Sequence, residues 1–276
     1  MKIRFLLLLS LASCVSFAQD KPSLIYQSTL LGVGSTSIYD TYLSPLEYKG
    51  SNIGLIHERM KMTGLFDGKV SSQHLFNLEL ATTVNPAKTA TNYMGSLEYG
   101  YGLHYHLQPF PVEKLKVLAG LQASGLIGGI YNTRNGNNPA TAKLNLNLNL
   151  SGMVSYQLKI KEQPVLLRYQ LNIPSIGVMY APAFGLSYYE MDASGYNGLF
   201  RLASFHNQLA MRNLLSVELP LNFCTVRLSY QNWTYETRIN DLDTRIASNS
   251  VYVGFSKNFF VVSGRKQNNN YRSVFE

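Results

Sequence analysis

From residue 144 to residue 160 the chain alternates without a break. Leu144, Leu146, Leu148, Leu150, Gly152, Val154, Tyr156, Leu158 and Ile160 stand at the even positions, and Lys143, Asn145, Asn147, Asn149, Ser151, Met153, Ser155, Gln157 and Lys159 at the odd ones. Only a β-strand sends every second side chain to the same face. The pattern recurs from 93 to 107, where Tyr93, Gly95, Leu97, Tyr99, Tyr101, Leu103, Tyr105 and Leu107 oppose Met94, Ser96, Glu98, Gly100, Gly102, His104 and His106. Strands of soluble domains average about 5 to 6 residues, whereas a strand of a membrane barrel needs about 9 to 11 tilted residues to cross the hydrocarbon. These two segments belong to the longer class. Asn and Gly opposite Leu and Tyr is the order of a barrel whose inside is polar and whose outside meets lipid.

Composition agrees with that reading. The 276 residues are 46% hydrophobic but only 14% charged, against about 25% charged in soluble domains. Outside the extreme N-terminus no window approaches the roughly 18 consecutive apolar residues of a spanning helix, so a helical membrane protein is excluded. The 21 Gly have no period and aromatics are abundant, which excludes collagen and a disordered chain.

Weaker alternation marks 24–34, 52–62, 70–84, 115–131, 165–173, 211–221, 225–235 and 249–261, so ten strands are legible. Short turns are expected at 108–113, 161–164 and 222–224, and longer extracellular loops at 35–51, 85–91, 132–141 and 236–248, the asymmetry of outer-membrane barrels. Residues 174–210 are ambiguous because Pro174, Pro182, Gly195 and Gly198 interrupt them. Short strands at 186–191 and 199–206 would make twelve. The expected fold is therefore all-β, a closed antiparallel transmembrane β-barrel of twelve strands; the alternative has ten strands and one long extracellular loop. A soluble β-sandwich or lipocalin-like barrel is the competing class, since alternation alone does not say which face is wet.

Lys2 and Arg4, the apolar run Phe5 to Leu11 and the small-x-small site Ser16-Phe17-Ala18 read as a secretory signal. The expected organisation is a signal peptide at 1–18, a barrel domain at 19–262 and a polar tail at 263–276. The expected location is the outer membrane of a Gram-negative bacterium, reached by the Sec pathway. Leu11-Ala12-Ser13-Cys14 also matches a lipobox, which leaves a lipoprotein anchored at Cys14, or a periplasmic protein, as the alternative. With Cys14 removed, Cys224 stands alone and no intramolecular disulfide forms. The net charge is +8, but Lys and Arg are scattered, so the expected counter-charges are outer-membrane lipid and lipopolysaccharide rather than nucleic acid.

Several loop phrases carry a likeness to a known family: Asp40-Thr41-Tyr42-Leu43-Ser44-Pro45-Leu46-Glu47-Tyr48, Tyr131-Asn132-Thr133-Arg134-Asn135, Asn137-Asn138-Pro139-Ala140, Asn172-Ile173-Pro174 with Gly177-Val178-Met179, and Ser187-Tyr188-Tyr189-Glu190. Together they resemble a domain-of-unknown-function family of exported, outer-membrane barrel-like proteins from Gram-negative gut bacteria. The resemblance covers most of the chain after the signal and implies location and fold, not an activity. In one respect the chain departs from common barrels: Phe259 and Phe260, the aromatic close of the last strand, are followed by 16 further residues.

The run Asn132 to Pro139 resembles the nucleophile loop of outer-membrane phospholipase A, His-x-Ser-Asn-Gly, but keeps only Asn135-Gly136. A serine hydrolase needs a base beside its nucleophile, and this loop supplies neither, so an Asn/Gly turn is the better reading. His104 and His106 share a face with Glu98, which begins a metal site without completing one. Polar filling of a lumen accounts for them. Trp233, Tyr235, Tyr99 and Tyr101 are expected in an interfacial belt. No motif calls for a cofactor, a metal or catalysis. The expected activity is binding or passage of a small solute, sugar or lipid ligand, with a structural or assembly role and a phospholipase-like lipid hydrolase as alternatives. Candidate binding residues are Asp40, Tyr42, Glu47, Arg134, Asn137, Asn138, Tyr188, Tyr189, Glu190 and His206, whose rings, amides and charges suit sugar hydroxyls and apolar sugar faces.

Overall fold

The computed structural model describes residues 24–107, 114–136, 138–161, 163–183, 189–190, 198–221, 224–260 and 274–275. The elements are β1 (Leu24–Asp40), β2 (Ser44–Met62), β3 (Val70–Val84), β4 (Thr91–Leu107), β5 (Leu115–Asn132), β6 (Ala140–Ile160), β7 (Gln163–Tyr180), β8 (Phe200–Ser204), β9 (Gln208–Pro220), β10 (Thr225–Ile239) and β11 (Leu242–Phe260). A short 3-10 turn, Leu65–Gly68, joins β2 to β3. Among the described residues no helix is long and apolar enough to cross a membrane.

Every strand pairs antiparallel with its neighbours, and β1 pairs with β11 from Leu24↔Phe260 to Asp40↔Thr244, which closes the sheet on itself. Ten strands form the ring. β7 joins β9 only over Leu166–Asn172, while its upper part, Ile176–Tyr180, pairs with the five-residue β8. The expectation of twelve strands is thus corrected to ten, with β8 appended to the upper edge of β7. A strand at 199–206 exists but is too short to span the wall. Of 186–191 only Tyr189 and Glu190 are described, and they lie outside any strand.

Strand lengths also depart from the sequence reading. The expected loops at 35–51 and 236–248 are mostly strand: β1 and β2 meet at residues 41–43, and β10 and β11 at the two-residue turn Asn240-Asp241. Both turn residues have positive φ, 53° and 60°, the primed hairpin geometry that Asn and Asp tolerate. β7 continues through Pro174, beyond the alternating segment 165–173. Pro has no N–H for the ladder, and the strand bulges there: Asn149 faces Pro174 while Leu148 faces Ile176, leaving Ser175 unpaired in register. The Ser175 hydroxyl donates to the Leu148 carbonyl (2.7 Å).

The two faces of the wall sort as expected. Leu146 is 70% exposed on the outside and Asn149 1% exposed on the inside. We take the end holding Leu24 and Phe260 as periplasmic. Inside, side chains fill the barrel in layers. Tyr26, Met60, Leu118 and Met153 cluster at the periplasmic mouth with Val274 and Phe275. Above them Glu58 accepts hydrogen bonds from Arg168, Arg227 (2.5 Å) and Gln73 (2.6 Å). Leu30, Ile56, Leu75, Leu214 and Tyr252 form a third layer. Gly32 and Gly54 are required there, because a Cβ on either would stand 2.4 or 2.3 Å from the Tyr252 ring or its hydroxyl. Higher still, Glu79 accepts from Thr36 (3.1 Å), Asn52 (3.1 Å) and Ser248 (2.5 Å). Trp233, Tyr235, Ile38, Met94, Ile130 and Ile246 fill the extracellular half under Tyr42 and Leu43. Trp233 and Tyr235 therefore leave the expected interfacial belt: the parity of β10 that sends Arg227 inward sends them inward too. Tyr99 and Tyr101 do face outward.

Candidate functional site

At the extracellular rim a cleft of about 300 Å³ opens between the β8–β9 turn and the upper ends of β1, β10 and β11, lined by Tyr39, Phe205, His206, Asn207, Gln208, Glu236, Thr237, Arg238, Asp243, Thr244 and Arg245, among others. The β8–β9 turn is fixed from within. Asn207 Oδ1 accepts from the Ser204 N–H (2.9 Å), Asn207 Nδ2 donates to the Leu202 carbonyl (2.8 Å), and the Arg238 N–H donates to the Asn207 carbonyl (2.9 Å). This rigid turn presents Phe205, 57% exposed, beside the His206 imidazole. Opposite stand two cross-strand ion pairs, Arg238 with Asp243 (3.5 Å) and Arg245 with Glu236 (3.2 Å). Their formal charges cancel, so this side of the cleft offers donors and acceptors without a net charge. Gln208, 2% exposed, lines it with an Nε2 that has no hydrogen-bond partner among the described residues.

Ser204 Oγ and His206 Nδ1 are 2.5 Å apart, a hydroxyl in contact with an imidazole at this rim. The bond closes a turn two residues long and engages Nδ1. Catalytic dyads of the familiar kind are built instead from a base that a third group orients.

The other sequence-predicted residues do not gather at this cleft. Asp40 is buried in the mouth, where it pairs with Lys143 (2.8 Å) and accepts from the Tyr42 N–H (3.1 Å). Tyr42 is packed into the apolar layer below it. Glu47 is on the outer face of β2, where the Ser37 hydroxyl (2.5 Å) and then Lys49 (3.2 Å) hold its exposed carboxyl below the ordinary carboxylate range. Arg134 donates to Thr89 (2.8 Å), and the Asn138 N–H donates to Asn135 (3.2 Å), both in the connections beside β5. Asn135 Nδ2 in turn reaches the Leu43 carbonyl (3.3 Å) across the mouth. Tyr189, 84% exposed, and Glu190 lie on the β7–β8 connection. Asn137 and Tyr188 lie outside the described residues. Of the eight that are described, His206 alone lines the cleft.

Sequence reasoning missed Phe205, Gln208, Glu236, Arg238, Asp243 and Arg245. The ion pairs carried a usable signal, Glu and Arg placed symmetrically about the Asn240-Asp241 turn, but only once that turn is recognised as a two-residue hairpin. His104 and His106 do not meet a third ligand. His104 Nε2 lies 2.7 Å from Ser151 Oγ, His106 Nε2 lies 3.0 Å from Ser71 Oγ, and Glu98 pairs with Arg212 (2.6 Å). No group of three or more His, Cys, Asp or Glu that could hold a metal occurs among the described residues.

A closed antiparallel ring of long strands, apolar outside and hydrogen-bonded within, is a transmembrane β-barrel of the outer-membrane type. The chain belongs to the family described as "Protein of unknown function (DUF3316)", matched over residues 1–266. No curated protein matches the sequence. Among solved structures it is similar to the transport unit of the autotransporter AIDA-I from Escherichia coli, at 7% identity, covering 88% of this chain and 94% of that one with a TM-score of 0.42. It is also similar to the outer membrane protease OmpT from Escherichia coli (8% identity, 88% and 99% covered, TM-score 0.43) and to the translocator domain of the autotransporter NalP from Neisseria meningitidis (11%, 92% and 95%, 0.38).

Proposed function

We propose that this protein is a sealed outer-membrane barrel that binds a carbohydrate, free or as the sugar portion of lipopolysaccharide, at its extracellular rim and performs no chemistry on it. The observation that carries the reading is the rim cleft. An exposed Phe ring, two charge-neutral Arg–carboxylate pairs and a buried amide N–H without a partner are the groups that cover an apolar sugar face and exchange hydrogen bonds with hydroxyls. Passage of solute is the weaker version of the same reading, because the lumen is occupied along its length by buried, interlocked side chains. The proposal includes export through the Sec pathway directed by residues 1–18, which are then cleaved, with Cys14 leaving as part of the signal.

A second reading rests on the Ser204–His206 contact, which makes a lipid or ester hydrolase the competing class. One experiment addresses both. Purified protein in detergent is titrated with lipopolysaccharide-derived oligosaccharides by calorimetry and assayed for fatty-acid release from phospholipid, with and without calcium. The proposal expects saccharide binding that Phe205→Ala weakens several-fold, a stacking loss of about 1 kcal/mol, and no turnover. Fatty-acid release that disappears in Ser204→Ala would replace binding with hydrolysis.

A further inference from the structure

The segment downstream of the last strand returns to the barrel. Val274 and Phe275 are both buried, packed with Tyr26, Met60, Leu118 and Met153 at the periplasmic mouth. The Phe275 ring meets Tyr26 edge-on at 4.9 Å between centroids. The guanidinium carbon of Arg168 lies 5.2 Å from the Phe275 centroid and 5.6 Å from that of Tyr26, so the buried cation stands beside both rings within cation–π range. Gln157 Nε2 donates to the Phe275 carbonyl at 2.7 Å, which fixes the backbone as well as the ring. Arg168 donates to Glu58 through Nη2 only; its Nε and Nη1 are buried and have no hydrogen-bond partner among the described residues. The mouth thus provides an aromatic slot, an aliphatic shelf of Met and Leu, a cation and an amide that reads the main chain. Those are the parts of a peptide-binding pocket.

We infer that the periplasmic mouth is a binding pocket for a peptide bearing an aliphatic residue followed by an aromatic one, and that Val274–Phe275 is its resident, exchangeable ligand. The exchange follows from scale. The described residues of this segment insert two side chains, and the burial these gain is of the same order as the cost of ordering them. The connection, residues 261–273, is polar in sequence, with Asn268-Asn269-Asn270 at its centre. Covalent linkage to the barrel presents this motif at an effective concentration on the order of millimolar, so the same motif offered in trans at that concentration competes. The inference is independent of the saccharide cleft, which lies at the other end of the barrel.

The test uses the full chain with Cys224→Ser and Val274→Cys, and follows labelling of the introduced thiol by a maleimide. The probe is the synthetic peptide Tyr-Arg-Ser-Val-Phe-Glu. Labelling is expected to be slow alone and at least tenfold faster with millimolar peptide, while the same peptide with Ala for Phe has no effect. Fluorescently tagged peptide is expected to bind the Phe275→Asp chain, whose pocket keeps its native walls. A labelling rate that the peptide leaves unchanged while Phe275→Asp raises it would make the segment a fixed part of the barrel and overturn the inference. So would fast labelling without peptide together with no binding of tagged peptide to Phe275→Asp.

Discussion

Glu58 is the residue on which the lower lumen turns. Its carboxylate is fully buried and takes hydrogen bonds from Arg168, Arg227 and Gln73, with Gln73 passing the network to Gln170 (2.9 Å) and Arg227 extending it to Ser28 (2.8 Å) and Ser216 (2.9 Å). Breaking a buried ion pair from one side leaves an uncompensated charge, which costs about 3 to 5 kcal/mol. Here Arg168 would lose its carboxylate partner, and Arg227 would keep only the longer contact to Glu218 (3.9 Å). Glu58→Ala is therefore expected to lower the stability of the refolded barrel by at least that amount, read as a shift of the urea midpoint of its heat-modifiable form, whereas Glu47→Ala on the exposed outer face should leave the midpoint unchanged. The sequence puts Glu58 on one face of β2 with Asn52, Ile56 and Met60, without saying which face is inside. It does not reveal the partners, which come from β3, β7 and β10 and meet only once the ring is closed.

At the scale of the element, the strands were legible where both faces declared themselves and blurred where one face was mixed. β4 and β6 follow the expected alternation residue by residue. β7 was cut short at Pro174 because proline usually ends pairing, and the bulge that accommodates it depends on where β6 runs. The upper ends of β1, β2, β10 and β11 read as loops because above the membrane the outer face turns polar, as at Ser35, Lys49, Glu236 and Asp243, and the contrast between faces disappears. A hydrogen-bonded strand in water and a loop then share one composition. The lipid-facing part makes a sharper claim. Leu148 projects outward in the middle of β6 while its neighbour Asn147 is buried inside. Arg on the lipid face near the bilayer midplane costs about 2 to 4 kcal/mol, yet an exposed Leu on a soluble sheet tolerates Arg freely. Leu148→Arg is expected to reduce folding into phospholipid vesicles by that amount. Equal folding of the variant and the parent chain would place this face in water.

At the scale of the whole molecule, closure by β1 and β11 gives a ring of ten strands, narrow enough for side chains to meet across the axis. The layers that fill it alternate in chemistry: an aromatic plug at the periplasmic mouth, a charged network, an aliphatic belt around Tyr252, a second polar network on Glu79, and an apolar cap beneath Tyr42 and Leu43. Each buried polar layer is satisfied largely by its own members, which is how charge persists inside a membrane protein. If the axis is sealed, as proposed, the working surfaces are the two ends, the rim cleft on one side and the mouth that holds Phe275 on the other. Sequence parity showed that the lumen is polar on average, but it could not show that Glu58, Arg168 and Arg227 lock together rather than line a pore, because that depends on the diameter and register of the closed ring. Planar-bilayer recording is the direct test of whether the lumen is sealed. The full-length protein, with insertion verified by its heat-modifiable mobility, should show no stepwise conductance above the lipid baseline at either polarity. Reproducible unitary steps from the wild-type chain would mean an open lumen and would contradict the account.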